Sequence, residues 1–147
     1  MRVAVLNGPN LNLLGSREPE LYGTERLEDL ERTVRERAAQ LGVEIEWRQT
    51  NHEGEFVDLV QSLPATADGA VVNAAAFTHT SLAIRDAFLA VRVPFVEVHL
   101  SNIFAREEER RHSLLADLAV GIVAGFGSRG YVWALEALVQ HVERSES

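Results

Sequence analysis

Residues 2–7 read Arg2-Val3-Ala4-Val5-Leu6-Asn7 and lead into a loop that contains Gly, Pro and Asn. A short apolar run that stops at such a loop is typical of a buried strand. Similar runs predict further strands at residues 43–49, 69–73, 94–100 and 118–124. Apolar residues at helical spacing predict helices between them, at residues 24–41, 54–63, 78–91 and 130–143.

This alternation of strands and helices predicts an α/β fold with a parallel sheet that is covered by helices on both faces. With five strands, we expect the flavodoxin-like order 2-1-3-4-5. Residues 1–147 are expected to form one domain, because single domains commonly have ~100–150 residues. Ligands of such sheets bind beyond the carboxyl ends of the strands, so the chemistry is sought there.

Two residue types are absent from the sequence. There is no Cys, which excludes thiolate nucleophiles, thiolate zinc sites and iron–sulfur clusters. There is also no Lys, since all 14 basic residues are Arg. This excludes a lysine Schiff base, a covalent pyridoxal phosphate site and a Walker A lysine. Any carbonyl chemistry must therefore use acid–base catalysis without a lysine imine.

The net charge and the apolar runs limit the partners. The formal net charge is −8, so nucleic acid should be repelled. No apolar run approaches the ~20 residues that span a bilayer, and the sequence begins in a strand pattern rather than a signal peptide. We expect a cytoplasmic protein that does not enter membranes.

The fourth predicted strand carries an acid and a histidine. Strand periodicity places Glu97 and His99 on one face, together with Phe95 and Ser101. Burial of both groups is costly unless they pair or contact solvent. As a pair, the carboxylate would orient the imidazole and favour its protonated form. The sequence alone leaves open whether the pair is a general acid or a structural contact.

Other polar residues near strand ends each have an ordinary alternative role. Asn7, Asn10 and Asn12 follow the first strand and could simply bond turn backbone. Asn73 ends the third strand, where a buried amide requires a partner. Alone, the remaining candidates would be surface, capping or packing residues: Arg17, Tyr22, His79, Asp86 and Arg110.

Two familiar site types are disfavoured. Glycines 125, 127 and 130 match the dinucleotide fingerprint G-x-G-x-x-G, but no further strand follows to complete the nucleotide-binding unit. We expect these glycines to permit a tight turn and close helix packing. The five histidines are dispersed, and Glu97 with His99 lacks a clear third ligand, so no metal site is predicted.

In combination, these segments resemble the type II 3-dehydroquinate dehydratase family. The resemblance covers nearly the whole chain. It is carried by residues 6–15 with Arg17, Pro19, Tyr22 and Gly23, and by residues 49–54, 73–87, 97–102, 106–107 and 125–131. The individual segments are weakly specific, whereas their order and spacing are highly specific.

The resemblance implies dehydration of 3-dehydroquinate to 3-dehydroshikimate through an enolate, without cofactor. It assigns the catalytic base to Tyr22, acting as a tyrosinate. A free tyrosine has a pKa of about 10, so the neighbouring cation Arg17 is expected to lower the pKa of Tyr22 and to stabilise enolate charge. By the same resemblance, Asn10 holds a water against the enolate oxygen, and His99, oriented by Glu97, protonates the leaving hydroxyl.

The resemblance also implies how the substrate is held. Asn73, His79, Leu100, Ser101 and Arg110 match substrate contacts, and Arg110 suits a carboxylate. Asp86 matches a contact that a neighbouring subunit supplies, which implies a homo-oligomer, usually a dodecamer. The alternatives are a non-catalytic flavodoxin-like oligomer, which turnover would exclude, and a flavin or nucleotide binder, which pigment or absorbance would reveal.

Overall fold

The computed structural model describes residues 1–16, 20 and 24–146. Within these ranges, five strands form one sheet in which all neighbours are parallel, in the order β2-β1-β3-β4-β5. The predicted α/β fold and strand order are confirmed. The strands are β1 (Arg2–Asn7), β2 (Glu44–Gln49), β3 (Gly69–Asn73), β4 (Phe95–His99) and β5 (Gly121–Ala124).

Helices connect the strands. In the described ranges they are α1 (Leu27–Leu41), α2 (Glu53–Thr66), α3 (Phe77–Thr80), α4 (Leu82–Val91) and α5 (Arg129–Glu146). Short 3-10 turns lie at Leu11–Leu13, Ile103–Ala105 and Glu108–Arg110. None of the helices described is both long and apolar enough to cross a bilayer.

The sheet separates two apolar cores, because successive strand residues point to opposite faces. On one face, Val96 and Val98 of β4 pack with α1 and α5. On the other face, Phe95 and residues of β1 and β3 pack with α2 and α4. The predicted apolar stripe of α5 is buried as expected, at Val132, Leu135, Val139 and Val142. Glu97 and His99 therefore lie on the α2–α4 side of β4.

Two helix starts differ from the predictions. The helix expected at residues 78–91 is interrupted at Ser81, whose Oγ accepts a bond from Ile84 N at 3.0 Å and caps α4. The helix expected to start at residue 24 begins instead at Leu27, after Arg26. The backbone N–H of Arg26 donates to Asp29 Oδ2 at 3.1 Å, so a carboxylate inside the helix supplies this contact.

The end of one helix and the start of one strand also differ from the predicted positions. α2 continues past Leu63 through Pro64, which is tolerated because it lies in the last turn and removes a single helical hydrogen bond. The last strand begins at Gly121 rather than at residue 118. The N–H of Leu118 instead donates to Leu115 O at 3.0 Å and closes a turn.

Candidate active site

The strand register brings the predicted polar residues to one edge of the sheet. Asn7 pairs with Gln49 on one side and with Asn73 on the other, and His99 pairs with Ala124. Gly8 allows the loop after β1 to approach β3 closely, since a Cβ there would lie 2.3 Å from Ala74 O. The carboxyl ends of the strands thus form the floor of a cavity.

The cavity at this edge has a volume of about 110 Å³. A single buried water needs only ~10–15 Å³, so the space suits a small organic molecule. Apolar side chains of the surrounding loops line part of it. The other lining residues, among those that the structure describes, are Asn10, Asn73, His79, His99, Leu100, Ser101, Arg106 and Arg110.

Glu97 and His99 form a buried pair, in which His99 lines the cavity and Glu97 lies behind it. His99 Nε2 lies 2.5 Å from Glu97 Oε2. Glu97 is fully buried, and its other oxygen accepts a bond from Ser113 Oγ at 2.9 Å. With Nε2 held by the carboxylate, His99 can exchange a proton with a ligand only through Nδ1. This arrangement is suited to general acid–base chemistry.

His79 is held in one tautomer. Its Nδ1 lies 2.7 Å from the carbonyl oxygen of His112, and a carbonyl only accepts, so Nδ1 carries the proton. Burial lowers the pKa of His79, outweighing the opposite effect of this hydrogen bond. The neutral ring therefore keeps an unprotonated Nε2 that can accept a bond from a ligand hydroxyl.

Two further lining residues are held by neighbouring polar groups. Arg110 Nε donates to Glu107 Oε1. The pKa of Glu107 is lowered by a backbone hydrogen bond and by Arg110, so this partner is ionised. The remaining guanidinium nitrogens of Arg110 keep a geometry suited to a carboxylate.

Asn10 has a left-handed backbone, with φ of 69°, and its N–H donates to Asn51 Oδ1 at 3.0 Å.

A buried network fixes the amide of Asn73. Asn7 Nδ2 donates to the carbonyl of Arg48 at 3.0 Å, so Asn7 Oδ1 faces Tyr131 and accepts its hydroxyl proton at 2.7 Å. Burial raises the pKa of Tyr131, which keeps this hydroxyl neutral. Tyr131 then accepts from Asn73 Nδ2 at 2.9 Å, and Asn73 Oδ1 accepts from Ala75 N at 3.1 Å.

Tyr131→Phe should destabilise the protein by about 2–4 kcal/mol, because two buried amides lose their partner at once. The free energy of unfolding is measured by urea denaturation. Ser145→Ala is the control, since it removes an exposed hydroxyl that donates to the carbonyl of His141 in its own helix and should cost less than about 0.5 kcal/mol. A loss below about 1 kcal/mol in Tyr131→Phe would contradict the network.

The structure brings most of the predicted site residues together. Those that line the cavity are Asn10, Asn73, His79, His99, Leu100, Ser101 and Arg110, and Glu97 lies directly behind His99. Asp86 lies on the exposed side of α4 and does not line this cavity. Arg17 and Tyr22 fall outside the described residues, so their predicted roles stay predictions.

Sequence reasoning missed Ser113 and Tyr131. Both act on predicted site residues through side-chain hydrogen bonds. Tyr131 had a usable signal, because a tyrosine buried in a helix needs a polar partner. Ser113 gave no such signal, since a serine in a polar loop is ordinary.

The glycine-rich loop after β5 makes a tight turn, as expected. Gly125 and Gly127 have φ of 95° and 62°, which disfavours other residues. A Cβ on Gly130 would lie 3.3 Å from Val123 and 3.4 Å from Val98, so α5 packs closely on the sheet. Within the described part of the chain, no group of three or more His, Asp or Glu could hold a metal ion.

The flavodoxin-like sheet carries a carboxylate-paired histidine at the carboxyl ends of its strands, where α/β enzymes of this architecture bind their ligands. The model of the dehydroquinase class II family matches residues 1–139. The chain belongs to this family.

Full-length relatives agree with this membership. The chain is 52% identical to a 3-dehydroquinate dehydratase of Tolumonas auensis, over 99% of this chain and 96% of that protein. It is also 52% identical to a 3-dehydroquinate dehydratase of Synechococcus sp. (strain WH7803), over the whole of both chains. A solved type II dehydroquinase from Butyrivibrio crossotus superposes with a TM-score of 0.92 at 41% identity, covering 95% of this chain and 97% of that one.

Proposed function

We propose that this protein dehydrates 3-dehydroquinate to 3-dehydroshikimate as a lyase of the shikimate pathway, in the cytoplasm. Family membership and the names of the full-length relatives support this reaction. The observation that carries the proposal is the Glu97–His99 pair, which faces a cavity also lined by Asn73 and Arg110.

The proposed reaction runs through an enolate. Tyr22, as tyrosinate, takes the proton from the carbon next to the ketone, and the electron pair of that bond moves onto the ketone oxygen. Arg17 stabilises the developing negative charge, and Asn10 holds a water against the enolate oxygen. When the enolate collapses, the bond to the β-hydroxyl breaks, His99 gives its proton to the departing oxygen, and water leaves.

The remaining cavity residues would hold the substrate. The Arg110 guanidinium, held in place by Glu107, suits the carboxylate. The Nε2 atom of His79 can accept a bond from a ring hydroxyl, because Nδ1 is engaged by His112. The amide of Asn73 and the Leu100–Ser101 segment supply further polar contacts from the ends of β3 and β4.

The direct test is turnover. Purified protein is mixed with 3-dehydroquinate, and the ultraviolet absorbance of the conjugated enone product is followed. We expect the absorbance to rise without added metal or organic cofactor, and after dialysis against a chelator. No rise at any protein concentration would overturn the proposed function.

Sodium borohydride added together with 3-dehydroquinate should neither inactivate the protein nor increase its mass. A Schiff base needs a primary amine, and the sequence contains no Lys. The amino group of Met1 lies at the start of β1, at the edge of the sheet opposite the cavity. Mass spectrometry checks for an adduct, with a lysine-dependent enzyme as the positive control for trapping. A substrate-dependent adduct would rule out the enolate route.

We also propose that the active form is a homo-oligomer, the dodecamer that the family resemblance implies, in which Asp86 of one subunit completes a neighbour's site. The position of Asp86 on the exposed side of α4, away from its own cavity, supports this arrangement. Light scattering should show a large homo-oligomer.

Subunit mixing tests the role of Asp86. Tyr22→Phe and Asp86→Ala proteins should each be weakly active, whereas oligomers refolded from their mixture should regain activity, because some sites receive an intact Tyr22 and an intact Asp86. Each variant refolded alone is the control. Activity that never exceeds the sum of the two controls, or a fully active monomer, would contradict a shared site.

A further inference from the structure

The segment that joins the turn at Glu108–Arg110 to β5 contacts the site at three consecutive residues. The carbonyl of His112 bonds His79 at 2.7 Å, and the hydroxyl of Ser113 bonds Glu97 at 2.9 Å. The N–H of Leu114 donates to the carbonyl of Thr78 at 2.9 Å. This segment therefore bonds His79 directly through the carbonyl of His112, and it bonds Glu97, the partner of His99, through the side chain of Ser113.

The hydroxyl proton of Ser113 has a defined direction. Its Oγ accepts bonds from Leu115 N and Ala116 N, each at 3.0 Å. A hydroxyl has one proton and two lone pairs, so these two bonds occupy its accepting capacity. The single proton must then be donated to Glu97 Oε1, which lies 2.9 Å away.

This donation fixes the carboxylate of Glu97. One oxygen is held by Ser113 and the other by His99 Nε2 at 2.5 Å. Because a carboxylate is planar, a fixed Oε1 also fixes where Oε2 lies, and with it the orientation of the imidazole ring. The ring of His99 is then held with Nδ1 on the side of the cavity that His99 lines.

We propose that Ser113 is a positioning residue, which acts through Glu97 to hold His99 in the orientation from which it delivers its proton. This inference rests on the proposed role of His99 as the acid. Ser113 does not line the cavity, so it acts on the chemical step rather than on substrate binding.

Ser113→Ala should lower kcat about ten-fold or more, the order of effect seen when the hydrogen-bond partner that orients a metal-binding side chain is removed, while KM stays near the wild-type value. Ser113→Thr retains the hydroxyl and should keep most of the activity. Ser62→Ala is the matched control, because Ser62 is a half-buried serine on α2 that donates to Leu59 O, away from the cavity. An unchanged kcat in Ser113→Ala would overturn the proposal.

A double-mutant cycle with Glu97→Gln separates positioning from general stability. If Ser113 acts through Glu97, Ser113→Ala should cause no further loss of kcat in the Glu97→Gln background. Equal losses in both backgrounds would overturn the proposal. Ser113→Ala also removes the acceptor for two backbone N–H groups and could prevent folding for that reason. If the alanine variant does not fold, Ser113→Cys takes its place in the cycle. The kcat of Ser113→Cys is expected to lie below that of Ser113→Thr.

Proton magnetic resonance of the ligand-free protein gives a readout that does not depend on the reaction. The proton between His99 Nε2 and Glu97 Oε2 should appear far downfield and be assigned by its loss in Glu97→Gln. We expect its resonance to shift in Ser113→Ala and to stay in place in Ser113→Thr and Ser62→Ala. An unshifted resonance in Ser113→Ala would overturn the role of Ser113. The proposed function is tested separately, because it would be overturned by a wild-type protein that fails to dehydrate 3-dehydroquinate.

Discussion

Tyr22→Phe is expected to lower the turnover of 3-dehydroquinate by about two to four orders of magnitude, the usual contribution of a positioned base. The variant keeps the ring and loses only the hydroxyl, so the group that takes the α-proton is removed while the bulk of the side chain remains. Binding of 3-dehydroshikimate, measured by calorimetry, should be largely retained, because Arg110, Asn73 and His79 are unchanged.

The same experiment distinguishes a base from a binding residue. If Tyr22→Phe raised KM and left kcat near wild type, Tyr22 would be a substrate contact and another base would be needed. Arg17→Ala should also lower kcat, because the phenolate and the enolate both lose a nearby positive charge. Arg144→Ala, at an exposed site in the last turn of α5, is the control for loss of an arginine.

His99→Ala should separate the two halves of the reaction. Dehydration is expected to fall by about two to four orders of magnitude, because the leaving hydroxyl loses its proton donor. Removal of the α-proton does not need this acid, so the variant should still exchange that hydrogen with solvent. In D2O, mass spectrometry of the recovered 3-dehydroquinate should show deuterium that is gained faster than product is formed.

Two comparisons control the exchange experiment. Tyr22→Phe should lose exchange and dehydration together, because it blocks the first step. His141→Ala, an exposed histidine near the end of α5, should match wild type in both measurements. If exchange in His99→Ala fell as far as dehydration, His99 would act before the enolate forms, and its assignment as the acid of the second step would be wrong.

The sequence by itself was sufficient for the class of fold. Alternating apolar runs and helical patterns are local signals, and they predicted the five-stranded parallel sheet and its order. Because ligands of such sheets bind beyond the carboxyl ends of the strands, the polar residues were expected to meet there, and Asn73 and His99 line one cavity at that edge. Because alternate residues of a strand lie on the same face, the sequence of β4 predicted that Glu97 and His99 share a face, and the two side chains form a hydrogen bond.

Element boundaries were less predictable, because they depend on local contacts that compete. Thr24 has a good capping side chain, yet α1 begins after Arg26, where Asp29 supplies the contact. The pattern at residues 78–91 has a continuous helical period, and only the Ser81 cap divides it. An apolar pattern cannot decide between such helix boundaries, since the competing boundaries differ from one another by about one hydrogen bond.

Only the tertiary structure decided how the site residues are held. Tyr131 is separated by 124 residues from Asn7 and by 58 from Asn73, and folding joins all three in one network. Ser113 reaches Glu97 from a loop that has no periodic pattern. Sequence periodicity determines which face a side chain occupies, because it follows from backbone geometry. The partner that orients that side chain is set by how distant segments pack, and no local pattern encodes it.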